Sequence, residues 1–321
     1  MADQGDIQVS YDAMEALWIN SMRRKFGSGV ALDFTGARYN GDYTRGYEES
    51  QADKRNYVLE QIGLKKGDKI LDIGCGWGNM LKEINEKGAC GVGLTLSPAQ
   101  QKYCLGNGWD ARLKDWKAYS SLSKEVLNMD ELTDGNLFDG VISIGAFEHF
   151  CSIEELELGK QDAIYHELFR MVQSCLKPKG RFYLQSMTFG DRGGPHPEKD
   201  ADASASKGSV SRIIAQWKAY FPGSYLPEGE KQIVNAASQL FNLTKSEDGR
   251  LDYVETARVW LEAVNAPGGL NKWLEWCKFI WKGRGRPGLI TRYKAVREDA
   301  FSRGFAYNII GHKRLTFQRS S

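Results

Sequence analysis

Three glycines at alternate positions, in Asp72-Ile73-Gly74-Cys75-Gly76-Trp77-Gly78, stand where the apolar run from Lys69 to Ile73 must turn into a helix. Glycine enters positive-φ conformations and leaves no side chain between main-chain amides and a ligand. This spacing therefore builds a turn on which a nucleoside-bearing cofactor can lie. A dinucleotide fold would instead carry G-x-G-x-x-G, with an acid about 20 residues further on. A second stretch, Ser143-Ile144-Gly145-Ala146-Phe147-Glu148-His149-Phe150, places a carboxylate beside an imidazole after another apolar run. Such a pair is suited to holding or moving a proton. His149 is equally suited to a plain hydrogen bond with a neighbouring helix.

The elements that must position these groups alternate in kind. A helix pattern from Ala52 to Ile62 ends at Gly63, a strand runs from Lys69 to Ile73, and Met80, Leu81 and Ile84 mark a helix closed by Gly88. A β-rich run from Ala89 to Leu96 follows, then Ser97-Pro98 as an N-cap with proline in the first turn of a helix reaching Leu105. Further strands are expected over Ala111 to Leu113, Gly140 to Ile144 and Arg181 to Met187, with a helix over Ala163 to Leu176 stopped by Pro178. This alternation predicts an α/β, Rossmann-like fold with a mostly parallel, doubly wound sheet, and ligands beyond the carboxyl ends of its strands. Three regions are expected: an N-terminal helical segment over 1–51, a cofactor-binding core over 52–190, and a stretch over 191–321 holding a loop, a helical cap and a part that completes the core. Within the first, Ser10 opens a helix with Met14, Leu17, Trp18 and Met22 on one face. Between Phe189 and Ser211 the Gly, Asp, Ala, Ser and Lys content suits a mobile lid. The last third, with Trp217, Trp260, Trp273, Trp276 and Trp281, reads as helical.

Charge and cysteine content narrow the classes. The 43 basic and 41 acidic residues nearly cancel, so no global field favours nucleic acid. Six cysteines form neither a C-x-x-C pair nor a His/Cys metal spacing, and no metal is expected. The polar start Met1-Ala2-Asp3-Gln4 is unlike a signal peptide, and no apolar run reaches the roughly 20 residues that span a bilayer. A cytoplasmic setting is expected. The basic cluster Lys282, Arg284, Arg286, Arg292, Lys294 and Arg297 reads as solvated surface, or as a contact for a head group or carrier.

Tyr39-Asn40-Gly41-Asp42-Tyr43, the glycine turn led by Asp72, Gly93-Leu94-Thr95-Leu96-Ser97-Pro98-Ala99-Gln100, Gly145-Ala146-Phe147-Glu148-His149-Phe150, Phe221-Pro222-Gly223 and Asp252-Tyr253 occur in one order. In that order the chain resembles the cyclopropane fatty acid synthase family of S-adenosylmethionine-dependent methyltransferases, mycolic acid cyclopropane synthases included. The resemblance implies a class I methyltransferase with S-adenosyl-L-methionine as cofactor and a hydrophobic or lipid acceptor, methylated at an alkene or electron-rich carbon, with or without ring closure. A small-molecule N-methyltransferase is the alternative. It assigns Tyr39, Gly74 and Gly76 to the methionine end of the cofactor, Thr95 and Gln100 to its ribose, and Asp115-Trp116 to the adenine. Asn40, Asp72, Leu96 and Ile144 join that set through the same motifs. Glu148, His149 and Tyr253 become the catalytic candidates. The family also holds a bicarbonate ion as base. Glu148 and Tyr253 are retained for it, while Gly41 and Gln185 stand where the family has Cys and His, so bicarbonate is left open. Peripheral contact with a membrane or carrier protein is left open too, as is the oligomeric state.

Overall fold

A computed structural model describes residues 17–192, 201–220, 225–284, 293 and 296–320. Ser10, Met14, Phe221-Pro222-Gly223, the 193–200 portion of the expected lid, and Arg286, Arg292 and Lys294 of the basic cluster lie outside the described residues.

Seven strands form one sheet. They are β1 (Lys69–Ile73), β2 (Cys90–Thr95), β3 (Asp110–Leu113), β4 (Phe138–Ile144), β5 (Leu176–Phe189), β6 (Phe241–Asp248) and β7 (Ile310–Arg319), in the order β3-β2-β1-β4-β5-β7-β6. Pairs β1–β2, β2–β3, β1–β4 and β4–β5 are parallel, and only β7 runs against its neighbours. The chain order reverses between β1 and β4, which opens a crevice at their carboxyl ends.

The helices follow from local signals. The described part of α1 covers 17–26. Helix α2 (Tyr47–Ile62) ends on Gly63 in the left-handed region at φ 70, and α3 (Asn79–Glu86) starts on the last glycine of the turn. In α4 (Pro98–Gly106) the Ser97 hydroxyl accepts from the Gln100 N–H, a cap worth about 1 kcal/mol. Then come α5 (Met129–Thr133), α6 (Ile153–Glu157), α7 (Gln161–Cys175), α8 (Val210–Tyr220), α9 (Glu230–Ala237), α10 (Arg250–Asn265), α11 (Gly269–Gly283) and α12 (Ala300–Ala306).

Apolar clusters fill the layers among the described residues. Leu71, Val141, Phe169, Phe182 and Phe317 belong to the cluster between the sheet and α7. Tyr57, Val58, Ile84, Ile142 and Tyr183 pack on the opposite face beneath α2 and α3. A cap cluster joins Trp18 and Met22 of α1 to Tyr253 and Trp260 of α10, Phe305 of α12 and Met187 of β5.

The last third departs from its helical reading through β6 and β7. Strand β6 is an edge strand whose residues are mostly exposed beyond Phe241, so its sequence lacks an apolar signal. Strand β7 hides its nature behind His312-Lys313-Arg314. The Arg314 guanidinium is buried, donating from Nη1 to Glu247 and Asp252 at 2.7 Å each and from Nη2 to the Ala37 carbonyl at 2.8 Å. Three oxygens replace the water it loses, which is what lets a charge enter a strand.

Candidate active site

The glycine turn is built by two packing constraints and one opening. Gly74, Gly76 and Gly78 have φ of 86°, 53° and 76°, all in the region that disfavours side chains. The Gly74 and Cys75 N–H groups donate to the Leu94 carbonyl at 3.0 and 2.9 Å, tying the turn to the end of β2. A Cβ on Gly74 would lie 2.3 Å from that of Ala146, and one on Gly78 would lie 2.8 Å from Cys104 Sγ and from the Trp109 ring. Around Gly76 nothing lies within 4 Å of such an atom, so this is the face left open for a ligand. Asp72 is buried at the end of β1, and burial, aided by Cys104 and Asp33, pushes its carboxyl up to about 8.

Beyond β2, the Thr95 hydroxyl donates to Gln100 Oε1 at 2.8 Å and accepts from the Ser97 N–H at 3.1 Å. Thr95 is thus ordered by Ser97 and Gln100 at the start of α4, while Leu96 stands 69% exposed beside it. The Lys114 N–H donates to the Thr95 carbonyl at 3.2 Å, bringing the end of β3 alongside. There the Asp115 carboxylate accepts from the Lys117 N–H at 2.9 Å. Trp116 turns inward, buried with its ring 5.2 Å from that of Phe150. An open turn at Gly76, a polar pair at Thr95 and Gln100, and an apolar side chain at Leu96 fit an adenosyl sulfonium cofactor. The Asp72, Gly74, Gly76, Thr95, Leu96, Gln100 and Asp115 positions gather along β1, β2 and β3.

At the end of β4, Ile144 is half-buried, and Gly145 at φ 67 donates its N–H to the Gln185 carbonyl at 2.9 Å. The short turn Phe147–His149 then buries Phe147 and splits its two polar residues. Glu148 is 1% exposed. Its Oε1 accepts from the Met187 N–H at 2.7 Å, and its Oε2 has no hydrogen-bond partner. Burial pushes this carboxyl up to about 7, against the opposing pull of the Met187 N–H and its own amide. A carboxyl at that value exchanges a proton near neutral pH. His149 is exposed. Desolvation lowers the pKa of its ring, and its exposure sets it apart from the buried Glu148.

The cluster around Thr35 and Gly36 contains residues that sequence reasoning missed. Lys54 of α2, itself buried, donates to Asp33 Oδ2 at 2.7 Å and to Thr35 Oγ1 at 2.6 Å, while Gln51 donates to the Thr35 carbonyl at 3.0 Å. Burial works against the charge on Asp33, but Lys54 and Thr35 outweigh it and hold the carboxyl below its ordinary value. So pinned, Thr35 packs on Gly145: a Cβ there would lie 2.8 Å from its methyl. Gly36 meets Tyr253, whose ring would lie 2.6 Å from a Cβ, and Gln185 Nε2 donates to the Gly36 carbonyl at 3.3 Å. Tyr253 is buried against Phe305, ring centroids 4.2 Å apart, and against His312 at 5.0 Å.

The glycine beside Gln185 and Tyr253 is Gly36, while Gly41 is exposed with open space where a Cβ would stand. Tyr39 is buried beside Tyr43, its hydroxyl pKa raised by burial and then by Glu255 of α10. Asn40 is exposed and accepts from Arg38 at 3.0 Å. A turn forms over 39–42: Asn40 and Gly41 both have positive φ and the Asp42 N–H donates to the Tyr39 carbonyl. That turn carries the chain away from 33–37 toward α2.

Strand order, a glycine turn at the crevice and a buried carboxylate after β4 define a class I S-adenosylmethionine-dependent methyltransferase. The sequence profile of the family described as mycolic acid cyclopropane synthetase matches residues 3–269, and the chain belongs to that family. Cyclopropane mycolic acid synthase 2 of Mycobacterium leprae is 28% identical over 234 residues, covering 68% of each chain. The methoxy mycolic acid synthase MmaA3 of Mycobacterium tuberculosis is 28% identical over 223 residues, again covering 68% of each. Among solved structures, mycolic acid cyclopropane synthase CmaA1 complexed with SAH and CTAB matches with a TM-score of 0.69 at 21% identity, over 99% of this chain and 98% of that one. Coclaurine N-methyltransferase matches with a TM-score of 0.67 at 14% identity, over 99% and 88%. Both likenesses bear on the fold. The cofactor of this chain is S-adenosyl-L-methionine.

Proposed function

We propose that this enzyme methylates an electron-rich carbon of a hydrophobic acceptor, with Glu148 handling the proton that the acceptor loses. The observation that carries this reading is the buried Glu148 carboxyl, pushed up to about 7, with one oxygen committed to the Met187 N–H and the other unpartnered. The cofactor supplies an already activated methyl group. What remains for the protein is to hold the acceptor in line, exclude water and accept one proton. Gly74, Gly76, Thr95, Gln100 and Asp115 are assigned to the donor, with Asp72, Leu96, Trp116 and Ile144 behind or beside them. Tyr253 and Gln185, closed below by Gly36, are assigned to the acceptor wall, and the Tyr253 ring face suits a developing positive charge. Glu148 Oε2 takes the proton directly or through a bound bicarbonate. The names of the relatives, cyclopropane and methoxy mycolic acid synthases, support a lipid acceptor, delivered from a membrane surface or a carrier protein. The six free thiols support a cytoplasmic setting.

A second reading, N-methylation of a small amine, is favoured by the likeness to coclaurine N-methyltransferase. The amine would surrender its proton before attack rather than after it. Incubation with methyl-labelled cofactor and separate lipid, isoprenoid and amine pools tests both. Label in a lipid or isoprenoid supports carbon transfer, and label confined to amines replaces it with the second reading. Dependence on added bicarbonate decides whether the proton leaves through that ion.

A further inference from the structure

Among the described residues, helix α11 (Gly269–Gly283) carries large apolar side chains that face solvent. Trp273, Leu274, Ile280 and Trp281 are 58, 43, 48 and 71% exposed. At 100° per residue Trp273, Ile280 and Trp281 share one flank and Leu274 borders it, while Phe279 turns into the cap core and Trp276 stacks on it with centroids 5.6 Å apart. Trp273 to Trp281 spans about 12 Å along the helix. Among the described side chains on and beside this helix, Lys272, Lys278, Arg284 and Arg297 are basic. Between residues 269 and 297 the sequence holds eight basic residues and a single acid, Glu275. Trp273 also lines a cavity of about 470 Å³ between α1, α10 and α11, together with Arg24, Lys272, Arg297, Trp276 and Tyr293. The exposed flank and this cationic, aromatic cavity are thus continuous through Trp273.

We propose that the exposed flank of α11 docks the enzyme on an anionic lipid surface, with the cavity receiving a lipid head group from that surface. Exposed tryptophans with basic residues beside them on one helix are the chemistry of segments that lie in the plane of a bilayer interface, indole rings at head-group depth and cations against lipid phosphates. A flank of aromatic and branched side chains along a straight helix matches a flat apolar boundary better than a compact acidic protein. The helix is 15 residues long and lies on the cap rather than crossing anything; among the described residues no helix is long and apolar enough to span a membrane. The inference rests on the lipid-acceptor reading and names the surface that would deliver the lipid; docking is read without turnover, so its failure leaves methyl transfer intact.

Co-sedimentation of the full chain with vesicles tests it, comparing phosphatidylcholine alone with phosphatidylcholine containing phosphatidylglycerol. Binding is expected to the anionic vesicles only, and to fall as salt rises. Lys278→Glu removes one attractive charge and adds a repulsive one, so the partition coefficient should fall about thirtyfold. Trp281→Ser should lower it about tenfold or more. Both side chains are exposed, and unchanged thermal unfolding of each variant shows that folding is intact. Absence of vesicle binding, equal binding to both vesicle types, or binding that both variants leave unchanged overturns the proposal. Capture of purified acidic acyl carrier protein in place of vesicles, lost in the same variants, overturns it in favour of a protein partner.

Discussion

Glu148→Gln separates the chemical role of this carboxyl from its structural one. An ordinary Glu titrates at 4.5, and burial moves Glu148 up to about 7, a difference worth about 3 kcal/mol. Its sign follows from which state holds the proton. Below 4.5 the folded and unfolded chains are both protonated and the full stability is present. As pH rises to about 7 the unfolded chain gives up the proton that the folded chain keeps, so stability is lost across that window and is level above it. Glutamine has no proton to give up. Its amide leaves a constant cost of about 1–3 kcal/mol where an N–H₂ group finds no acceptor, but that cost is the same at every pH. The stability difference between variant and wild type should therefore shift by about 3 kcal/mol in favour of the variant between about pH 4.5 and about pH 8. Urea unfolding at both values measures it. In the same proteins kcat of the wild type should rise with pH and level off above about 7, and the variant should lose roughly 100- to 10,000-fold. Wild-type turnover in Glu148→Gln would remove this residue from the mechanism, and parallel pH dependence of stability would refute its burial as the cause of the raised pKa.

The remaining predictions probe the two halves of the site separately. Gly74→Ala forces a Cβ to 2.3 Å from Ala146 and should destabilise the fold by about 3 kcal/mol, whereas Gly76→Ala meets nothing and should cost about 1 kcal/mol while weakening S-adenosylhomocysteine binding roughly tenfold by calorimetry; retained affinity in Gly76→Val would count against the turn as the donor site. Gly36→Ala places a Cβ 2.6 Å from the Tyr253 ring, and turnover should fall about tenfold or more at unchanged cofactor affinity; loss of cofactor binding instead would mean that 33–37 belongs to the donor half. Arg314→Met leaves the Asp252 carboxylate buried without its cation, so unfolding should show a loss of about 3–5 kcal/mol, with much of it recovered by adding Asp252→Asn.

The donor half was legible in the sequence because its signals are local. Lys69–Ile73 is apolar and followed at once by alternate glycines, Ser97-Pro98 announces its helix, and Glu148 follows a strand that Gly140 to Ile144 mark plainly. Each element is specified by neighbours within about ten residues, where propensity and periodicity operate. The acceptor half has no such signal. Gly36, Gln185, Tyr253 and His312 come from four separate stretches and meet only after the sheet forms. The resemblance puts Gly41 where the family has Cys, and nothing in composition tells that Lys54 buries itself to hold 33–35, so that Gln185 meets the Gly36 carbonyl. Strands β6 and β7 were obscured for a related reason: their charges are neutralised by partners far away in sequence.

That division has a mechanistic consequence. The donor turn is held by main-chain bonds to Leu94 and by glycine packing, so it stays formed whatever the acceptor. The acceptor wall instead hangs on side chains, with Lys54 holding Thr35, Gln185 holding Gly36 and Arg314 holding Ala37. Side-chain contacts can be exchanged one at a time without refolding the sheet, whereas the turn cannot be altered without losing it. Glu148 sits where the two halves join, one oxygen fixed by the backbone of β5 and the other unpartnered. A change of acceptor would then be expected to track Gly36, Gln185 and Tyr253 and to leave Gly74, Gly76 and Thr95 in place, because only the first group can move while the carboxyl proposed to take the proton remains fixed.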